Sequence, residues 1–494
     1  MPATDAAAAA PSRSSLDKAL VRGLAWTGAV KWIAQALSWI STLVVAHLLS
    51  PDDYGIAYTT MLFVTLVQLV NEFGLGAAVV SQRDLSDRQL SQLATFSLGL
   101  GVILCVASTL AANGVAQFYH KAEVGPVVRL VSLTFITSGI LVVPRGLLTR
   151  DLRYRELAAI DAVEAVTSII TTLVLALLHA GYWSLAWGAV AGRLVAVAGT
   201  LSFRRTPLSM PRDFRTIATP LRVGWHVVLS GIGWYIYRTA DSNLITRQLG
   251  TEAFGFYAMA IALATVPLDR LNELVNRVMP GVFSTVQKNK EELERYIRRV
   301  SQALALAAFP AAVGLALVAA DMIPVMLGTK WVPAVAPLQL LALSAVIRTL
   351  APMLNQVLVA TGHSRQSMRA TLSAAVIMPV SFLLAIPYGV TAVAAAWVLV
   401  YPLVMVPALF LPALRAAEMR TGRYLDALRP ATEATIVMAI VVFASRATVL
   451  ATLTPALRFS LEVPLGAAAY AGYLWLGHRA RVEEYVTWFR SMRG

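Results

Sequence analysis

Charged side chains are scarce in this chain of 494 residues, since Asp, Glu, Lys and Arg together make up only 14%. Soluble globular domains carry about 25% charged residues, so this shortage excludes an ordinary soluble protein. The chain also has a single cysteine, Cys105, which excludes an internal disulfide framework. Apolar residues take the place of the missing charge: 57% of the chain is hydrophobic, and the mean hydropathy is +0.67.

The apolar residues are grouped into stretches of about 20, which is the helix length needed to cross roughly 30 Å of hydrocarbon. Strands of a membrane barrel would need only about 10 residues of alternating polarity. About fourteen such stretches follow one another, among them 219–246, 256–279 and 334–360. The sequence therefore predicts an all-α integral membrane protein with about fourteen transmembrane helices.

The net charge of +14 does not indicate nucleic-acid binding, because Lys and Arg form short caps between apolar stretches and build no continuous basic face. These caps alternate along the chain. Connectors rich in Arg fall on one side of the predicted membrane, whereas the opposite connectors hold little more than Lys121, Arg247, Lys330 and Arg446. Cytoplasmic connectors are the ones that carry excess Lys and Arg, so we expect both termini in the cytoplasm.

The chain repeats itself at a spacing of about 200 residues. The segment HLLSPDDYGIAY (His47–Tyr58) matches RQLGTEAFGFYA (Arg247–Ala258), with Gly55 over Gly255. An even number of predicted spans separates the copies, so the two halves are parallel repeats about an axis along the membrane normal. We therefore predict two six-helix lobes with the substrate path between them, followed by two C-terminal helices.

These patterns divide the chain into six predicted segments. They are a disordered cytoplasmic N-terminus, an N-lobe, a C-lobe, a cytoplasmic linker, a pair of transmembrane helices and a cytoplasmic tail. In that order they cover residues 1–20, 21–215, 216–412, 413–430, 431–477 and 478–494.

Several motifs resemble the Wzx/WzxC-type polysaccharide transporters. LLSPDDYGIA (Leu48–Ala57) and NEFGLGAAVVSQ (Asn71–Gln82) carry the likeness, and LLTRDLRYR (Leu147–Arg155), YRTADSNLI (Tyr237–Ile245) and QLLALSAVIR (Gln339–Arg348) fit it as well. The likeness covers nearly the whole chain. These transporters are part of the multidrug/oligosaccharidyl-lipid/polysaccharide (MOP) superfamily, alongside murein lipid flippases and MATE drug exporters, which is marked by two six-helix lobes and often two extra helices.

The resemblance implies a flippase of the bacterial inner membrane. Such a protein is expected to move undecaprenyl-diphosphate-linked oligosaccharides to the outer leaflet by alternating access, for exopolysaccharide or O-antigen-type biosynthesis. The expected partners are this lipid-linked substrate, membrane lipid and other polysaccharide assembly proteins, with no cofactor and no metal. The motifs do not identify the glycan, a coupling ion or the oligomeric state.

Ionisable residues inside the predicted spans are candidate site residues, because a charge in the bilayer is costly unless it has a function or a partner. Lys31, Arg238 and Arg348 lie away from the predicted ends of their spans. We interpret them as candidates for binding the substrate diphosphate, since the arginine fork donates two parallel hydrogen bonds to one anion. The alternative, that they pair with carboxylates and hold helices together, fits the sequence equally well.

Three carboxylates are candidates for ion coupling or for lining the cavity: Glu72, Asp241 and Glu273. Glu72 and Glu273 occupy matching positions of the repeat. Asp241 lies one helical turn from Arg238, where it is placed to hold that arginine or to titrate with it. Trp234 is a candidate for stacking on a sugar ring, although Trp is also enriched at membrane interfaces.

Two other function classes also suit a membrane bundle. A membrane-embedded polymerase or ligase would hold catalytic acids or bases in a sizeable outer loop, whereas the longest predicted outer connector, about Asn113–Gly125, has few ionisable side chains. No phosphate-binding loop, metal-ligand spacing or serine nucleophile motif is present in the sequence. A MATE-like cation-coupled exporter of small molecules would favour an acidic cavity, whereas the three basic candidates predict a cationic one.

Overall fold

The structure, a computed structural model, describes residues 40–72, 75–82, 85–209, 232, 234–265, 289–448 and 450–479. Within these ranges all regular secondary structure is helical and no strand occurs. Ten helices of this part of the chain are long and apolar enough to cross a membrane. The predicted all-α, multi-pass membrane class is therefore confirmed, and the number of about fourteen spans stays a prediction.

In the part of the chain that the structure describes, eight helices precede residue 289. They are α1 (40–48), α2 (Pro51–Glu72), α3 (Leu75–Ser81), α4 (Asp87–Phe118), α5 (Val124–Arg150), α6 (Tyr154–Leu177), α7 (Trp183–Phe203) and α8 (234–265).

Eight more follow: α9 (Lys290–Met326), α10 (Val335–Arg348), α11 (Ala351–Ala360), α12 (Ser364–Ala385), α13 (Val390–Met405), α14 (Leu411–Ala416), α15 (Thr421–Ala447) and α16 (Pro455–Gly477). Short 3₁₀ turns precede α10 (Thr329–Ala334) and α13 (Ile386–Tyr388), and a π-helical turn, Val406–Phe410, joins α13 to α14.

Polar side chains fix where helices begin. Ser50 Oγ accepts a hydrogen bond from the Asp53 N–H at 3.1 Å, and Asp53 Oδ2 accepts one from the Ser50 N–H at 2.9 Å. Ser86 and Gln89 form the same reciprocal arrangement at the start of α4. Each pair satisfies two N–H groups that the first turn of a helix leaves unpaired. For this reason α2 begins at Pro51, within the motif LLSPDDYGIA.

The predicted span 334–360 is not one continuous helix. The structure divides it into α10 and α11, with a break at Thr349 and Leu350. Pro352 explains the break, because it has no N–H to donate to the carbonyl oxygen of Arg348 four residues earlier. Arg348 is therefore the last residue of α10 and lies well inside the apolar stretch Thr329–Ala360.

The connector expected between the predicted spans 219–246 and 256–279 is also different in the structure. Residues 234–265 contain no loop, because two helical parts of α8 meet directly at Gly250, where the chain turns with a φ of +89°. Glycine is favoured there because a side chain makes positive φ costly. The residues between the two predicted spans therefore form no extended loop.

The chain divides into two compact units, and α2 contributes to both. The first consists of Met1–Leu49, Phe63–Gln117 and Ala122–Ile232, and the second of Ser50–Leu62, Phe118–Lys121 and Gly233–Gly494. The lobe boundaries predicted from the sequence stay predictions.

The core of the first unit lies around α5. Leu75 of α3, Leu93 of α4 and Val143 of α5 are fully or almost fully buried in one hydrophobic cluster. A second cluster joins α5 to α6 and α7 through Leu148 and its neighbours. Gly101 brings α4 close to α5, since a Cβ there would lie 2.4 Å from the carbonyl oxygen of Phe135. Small residues allow such close helix packing inside a membrane.

The second unit contains α9 to α16. Helix α9 packs against α10, α15 and α16, while α13 packs against α10 and α12. Trp331, which is fully buried, makes edge contacts with the rings of Tyr54 and Phe256 at centroid distances of 5.3 and 6.1 Å. The start of α2, the second half of α8 and the turn before α10 thus share one aromatic core.

The two copies of the repeated motif contact each other through their glycines. A Cβ on Gly55 would lie 1.8 Å from the carbonyl oxygen of Thr251, and one on Gly255 would lie 1.9 Å from that of Pro51. Thr251 follows Pro51 by the same 200 residues as Gly255 follows Gly55. The contact is therefore reciprocal, and it requires a residue without a side chain at the same position of both copies.

Polar side chains surround this glycine crossing. The Thr251 hydroxyl donates to Asp52, which also pairs with Lys121 Nζ at 2.7 Å. Tyr119 Oη donates to Asn243 Oδ1 at 2.6 Å. Burial raises the pKa of the Tyr119 phenol, so this group stays protonated and remains a donor. The crossing is thus held by polar contacts as well as by close packing.

Replacing either glycine of the crossing by alanine is expected to separate α2 from α8. Overpacking of this kind costs about 1–3 kcal/mol, so Gly55→Ala and Gly255→Ala should each lower the apparent melting temperature of the purified protein. Gly114→Ala is the matched control, because a Cβ at this glycine of α4 meets no atom within 4 Å. Thermal unfolding monitored by size-exclusion chromatography gives the readout. Equal melting temperatures for all three variants would contradict the role of the crossing.

Candidate functional site

A cluster of charged and aromatic side chains lies inside the second unit, and it contains two of the predicted site residues. The guanidinium carbon of Arg348, on α10, lies 4.4 Å from the ring centre of Trp397 on α13. Trp397 Nε1 donates to Asp241 Oδ2 on α8 at 2.9 Å. We call these three residues, together with Tyr257, the aromatic–charge cluster.

Asp241 is only 2% exposed, and both of its oxygens are occupied by donors. Oδ2 accepts from Tyr257 Oη at 2.7 Å in addition to the indole. Oδ1 accepts from the Ser242 N–H at 2.6 Å and from Ser242 Oγ at 3.2 Å. An indole N–H and a backbone N–H can only donate. The Asp241 carboxylate is therefore held as an acceptor at both of its oxygens.

Trp397 is buried among other rings. Phe382, Tyr401 and Tyr237 lie with their ring centres 5.4, 5.6 and 6.3 Å from its own, in tilted or edge-on arrangements. Such geometries are the favoured ones for aromatic pairs. The indole is consequently fixed by three rings and by the hydrogen bond to Asp241.

Arg348 is a half-buried cation near the middle of an apolar stretch of 32 residues. Within the part of the chain that the structure describes, no carboxylate forms an ion pair with it, and its guanidinium contacts the Trp397 ring. The partial negative charge at the C-terminal end of α10 favours a cation at this position. Among the described residues its N–H donors thus have no carboxylate acceptor, and an anion is the kind of ligand that such donors suit.

Arg238 and Trp234 form a separate pair on α8. Arg238 Cζ lies 4.8 Å from the ring centre of Trp234, one helical turn earlier, and both side chains are exposed. The described residues include no ion pair between Arg238 and Asp241, because Asp241 has the partners given above. The structure therefore brings Arg348 and Asp241 together through Trp397 and leaves Arg238 and Trp234 outside the cluster.

The other predicted site residues fall at or beyond the limits of the described chain. Lys31 and Glu273 lie outside the described residues, and so does the side chain of Glu72, the last residue of α2. The neighbouring Asn71 is fully buried and donates from Nδ2 to the carbonyl oxygen of Phe135 at 3.0 Å. The roles of Lys31, Glu72 and Glu273 stay predictions.

A second charged cluster, in the first unit, includes a cation that the sequence did not single out. Arg145 Nη2 lies 2.6 Å from Asp161 and 3.4 Å from Glu164, and Arg193 Nη1 lies 3.4 Å from Glu164. Both arginines therefore have carboxylate partners and tie α5 and α7 to α6. Arg145 was missed because it lies near the predicted cytoplasmic end of its span, among the basic residues of a connector.

Trp397 was also missed by sequence reasoning, although a signal was present. It stands in the run VTAVAAAWVLVYP, where every neighbour is apolar or small. Tryptophan is enriched at the membrane interfaces, so one placed inside a span needs a partner for its indole N–H. The sequence shows that need but not which residue meets it.

Asp321 is a further acidic residue within a predicted span, and the structure places it in a network of charges between α9, α15 and α16. Arg446 forms an ion pair with its carboxylate, and Arg458 Nη1 lies 3.5 Å from Asp321 Oδ1. Arg446 Nε also lies 3.7 Å from Glu462 Oε1. Two cations and two carboxylates thus join the last two helices to α9, which indicates a structural role.

Removing the charge of Asp321 is expected to destabilise this network. Asp321→Asn leaves the partly buried Arg446 and Arg458 short of a counter-charge, and breaking a buried ion pair costs about 3 kcal/mol or more. The melting temperature should fall, while Glu252→Gln, an exposed change on α8, should leave it unchanged. Unchanged stability of the Asp321 variant would contradict the structural role.

Known proteins are similar to this chain in sequence. A family model described as "Polysaccharide biosynthesis protein" matches residues 44–336. The lipopolysaccharide biosynthesis protein WzxC of Escherichia coli (strain K12) is 24% identical over 357 residues, which cover 70% of this chain and 71% of WzxC. The succinoglycan biosynthesis transport protein ExoT of Rhizobium meliloti (strain 1021) is 23% identical over 332 residues, 67% of each chain.

Solved structures show the same fold at lower identity. The lipid II flippase MurJ in an inward closed conformation has a TM-score of 0.73 and 13% identity, over 92% of this chain and 99% of MurJ. An inward-facing MATE multidrug resistance transporter of the MOP superfamily has a TM-score of 0.65 and 14% identity, over 78% of this chain and 95% of that one. These two matches establish the fold alone.

The resemblance stated from the motifs is thereby confirmed. The family model covers more than half of the 494 residues, and the architecture is that of the MurJ and MATE transporters. This multi-pass membrane protein belongs to the polysaccharide biosynthesis protein family that matches residues 44–336.

Proposed function

We propose that this chain is a flippase that moves undecaprenyl-diphosphate-linked oligosaccharide repeat units to the outer leaflet of the bacterial inner membrane. The product would serve exopolysaccharide or O-antigen-type biosynthesis. Family membership supports this proposal, as do the names of its relatives, one a lipopolysaccharide biosynthesis protein and another a succinoglycan transport protein. Alternating access, cytoplasmic termini, the absence of a chemical reaction and contact with other assembly proteins belong to the same proposal.

The position of Arg348 is the observation that supports the proposal most directly. It is a cation deep within an apolar stretch, fixed on an aromatic ring and without a carboxylate partner in the described residues. Placing such a group in a membrane is costly, and a diphosphate offers acceptors for its N–H donors. The arrangement suits recognition of the head group that every polyprenyl-diphosphate substrate shares, irrespective of its glycan.

A MATE-like exporter of small cations is the second candidate, since the fold is shared with such transporters. An exporter of cations needs an acceptor that is open to the ligand. In the aromatic–charge cluster the acceptor, Asp241, is occupied by four donors, whereas no carboxylate of the described residues pairs with the donor, Arg348. This polarity favours an anionic substrate over a cationic one.

The function is tested first by deletion and complementation. Cells that lack the protein should accumulate undecaprenyl-linked oligosaccharide on the cytoplasmic side and stop exporting polysaccharide. Loss of a small-molecule exporter would instead raise drug sensitivity without lipid-linked intermediates. Loss of a polymerase would leave single repeat units already flipped to the outer leaflet, where an added glycosidase can reach them.

Arg348→Gln is expected to impair flipping in the complemented strain. Hydrogen bonds to charged groups contribute about 1.5–3 kcal/mol, so the flipping rate at low substrate should fall about 10- to 100-fold. Arg348→Lys keeps the charge but not the fork and should retain part of the activity. Flipping is measured as the fraction of lipid-linked oligosaccharide accessible from outside.

Arg365→Gln is the matched control, because Arg365 is exposed at the start of α12. It removes one arginine charge from the same unit and should leave flipping unchanged. Normal flipping by Arg348→Gln at a normal protein level would refute the assigned role of Arg348. Accumulation of no lipid-linked intermediate in the deletion strain would refute the flippase function itself.

A further inference from the structure

We infer that Asp241 and Trp397 are positioning residues, through which a carboxylate on α8 orients Arg348 on α10 toward the substrate diphosphate. The inference rests on the proposed function, because it concerns the same arginine. It assigns to Asp241 a role different from the ion-coupling role that its position in the sequence suggests. It also assigns a role to Trp397, which contacts both charged residues.

Asp241 and Arg348 are connected through contacts with the same residue, Trp397. Asp241 and Arg348 form no ion pair with each other in the described chain, although they have opposite charge and share a neighbour. Trp397 separates them: its N–H edge points at the carboxylate, at 2.9 Å, and its face carries the guanidinium, at 4.4 Å. The indole therefore connects anion and cation through two different parts of its ring.

The hydrogen bond to Asp241 also changes the electron distribution of the indole. A positive guanidinium is attracted to the negative face of an indole. When the indole N–H donates to an ionised carboxylate, the hydrogen bond is charge-assisted, and electron density moves from the N–H toward the ring. This makes the ring face more negative and strengthens its attraction for Arg348. Asp241 thus supports Arg348 without neutralising it, so the N–H donors of the arginine remain open to a ligand.

The Trp397 ring is held in one orientation by its neighbours. Trp397 is 4% exposed and is held by Phe382, Tyr237 and Tyr401, so its ring has little freedom to tilt. Arg348 is the last residue of α10, immediately before the break that Pro352 imposes. A side chain at a helix end lacks the support of a following turn. The indole supplies this support by giving the guanidinium a flat surface at a fixed position.

The four hydrogen bonds of Asp241 suit a positioning role better than a coupling role. To bind a metal cation, Asp241 would have to release donors from Tyr257, Trp397 or Ser242. The indole N–H of Trp397 and the backbone N–H of Ser242 can only donate, so they hold the carboxylate in place as an acceptor.

The experiment measures binding of undecaprenyl diphosphate, which carries the diphosphate without any glycan, to the full-length protein in lipid nanodiscs. Trp397→Phe keeps an aromatic face but removes the N–H donor, and Asp241→Asn keeps an acceptor but removes the charge. Each should weaken binding about 3- to 10-fold, and the double variant should be no weaker than either one, because both changes interrupt the same chain of contacts. Trp187→Phe, on the exposed face of α7, is the matched control.

A spectroscopic readout separates positioning from a general loss of structure. In protein labelled with ¹⁵N-tryptophan, the indole N–H signal of Trp397 is identified by its disappearance in Trp397→Phe. This signal should move in Asp241→Asn, where the N–H faces a neutral amide, while the signals of the other tryptophans stay in place. Losses of affinity that multiply in the double variant, or an unmoved Trp397 signal, would overturn the inference.

The outcomes also distinguish this inference from the proposed function. If Arg348→Gln weakens binding of undecaprenyl diphosphate whereas Trp397→Phe and Asp241→Asn bind like the wild type, Arg348 acts without the relay and only the inference fails. If Arg348→Gln itself binds like the wild type, the diphosphate role of Arg348 fails first. Should Asp241→Asn not fold, Trp397→Phe alone decides, because it removes the same hydrogen bond from the other side.

Discussion

A charge or a polar group inside hydrocarbon must have a partner, and this one constraint organises the structure. Arg145 and Arg193 meet it with carboxylates in the first unit, and Arg446 and Arg458 meet it with Asp321 in the second. Asp241 meets it with four hydrogen bonds. Among the residues that the structure describes, Arg348 meets it only in part, through an aromatic face. A charged group that is only partly paired can form its remaining hydrogen bonds with a ligand. For an arginine, that ligand is an anion.

The repeated motif positions the helix that carries this site. Gly55 and Gly255 let the backbones of α2 and α8 approach until each glycine lies against the other copy. Tyr235, on α8, donates to the carbonyl oxygen of Leu62 on α2, six residues before Asp241 along the chain. Contacts with α2 on both sides of Gly250 thus hold α8, from which Asp241 contacts α13. The duplicated sequence thus provides the contact between its two copies, and this contact helps to position the helix that carries Asp241.

Much of the fold followed from the pattern of residues. Helices of membrane-spanning length were predictable because lipid offers no hydrogen bonds to the backbone, so an apolar stretch of about 20 residues has to be helical. The breaks were harder to place. Pro352 divides the span around Arg348, and Gly250 replaces an expected loop with a turn. Both residues were visible in the sequence, but proline and glycine are common in membrane helices, so neither by itself indicates a break.

The sequence by itself determined the class of protein, the alternation of basic connectors, the duplication and the short set of ionisable residues inside the spans, because each depends on spacing along one chain. Only the tertiary structure decided which of those residues are partnered. Asp241 is three residues from Arg238 in sequence, yet its carboxylate contacts Trp397, 156 residues away, and through that ring it is connected to Arg348. Partners in a helical bundle are chosen by which faces pack together, and this packing brings together residues that spacing along the chain keeps apart.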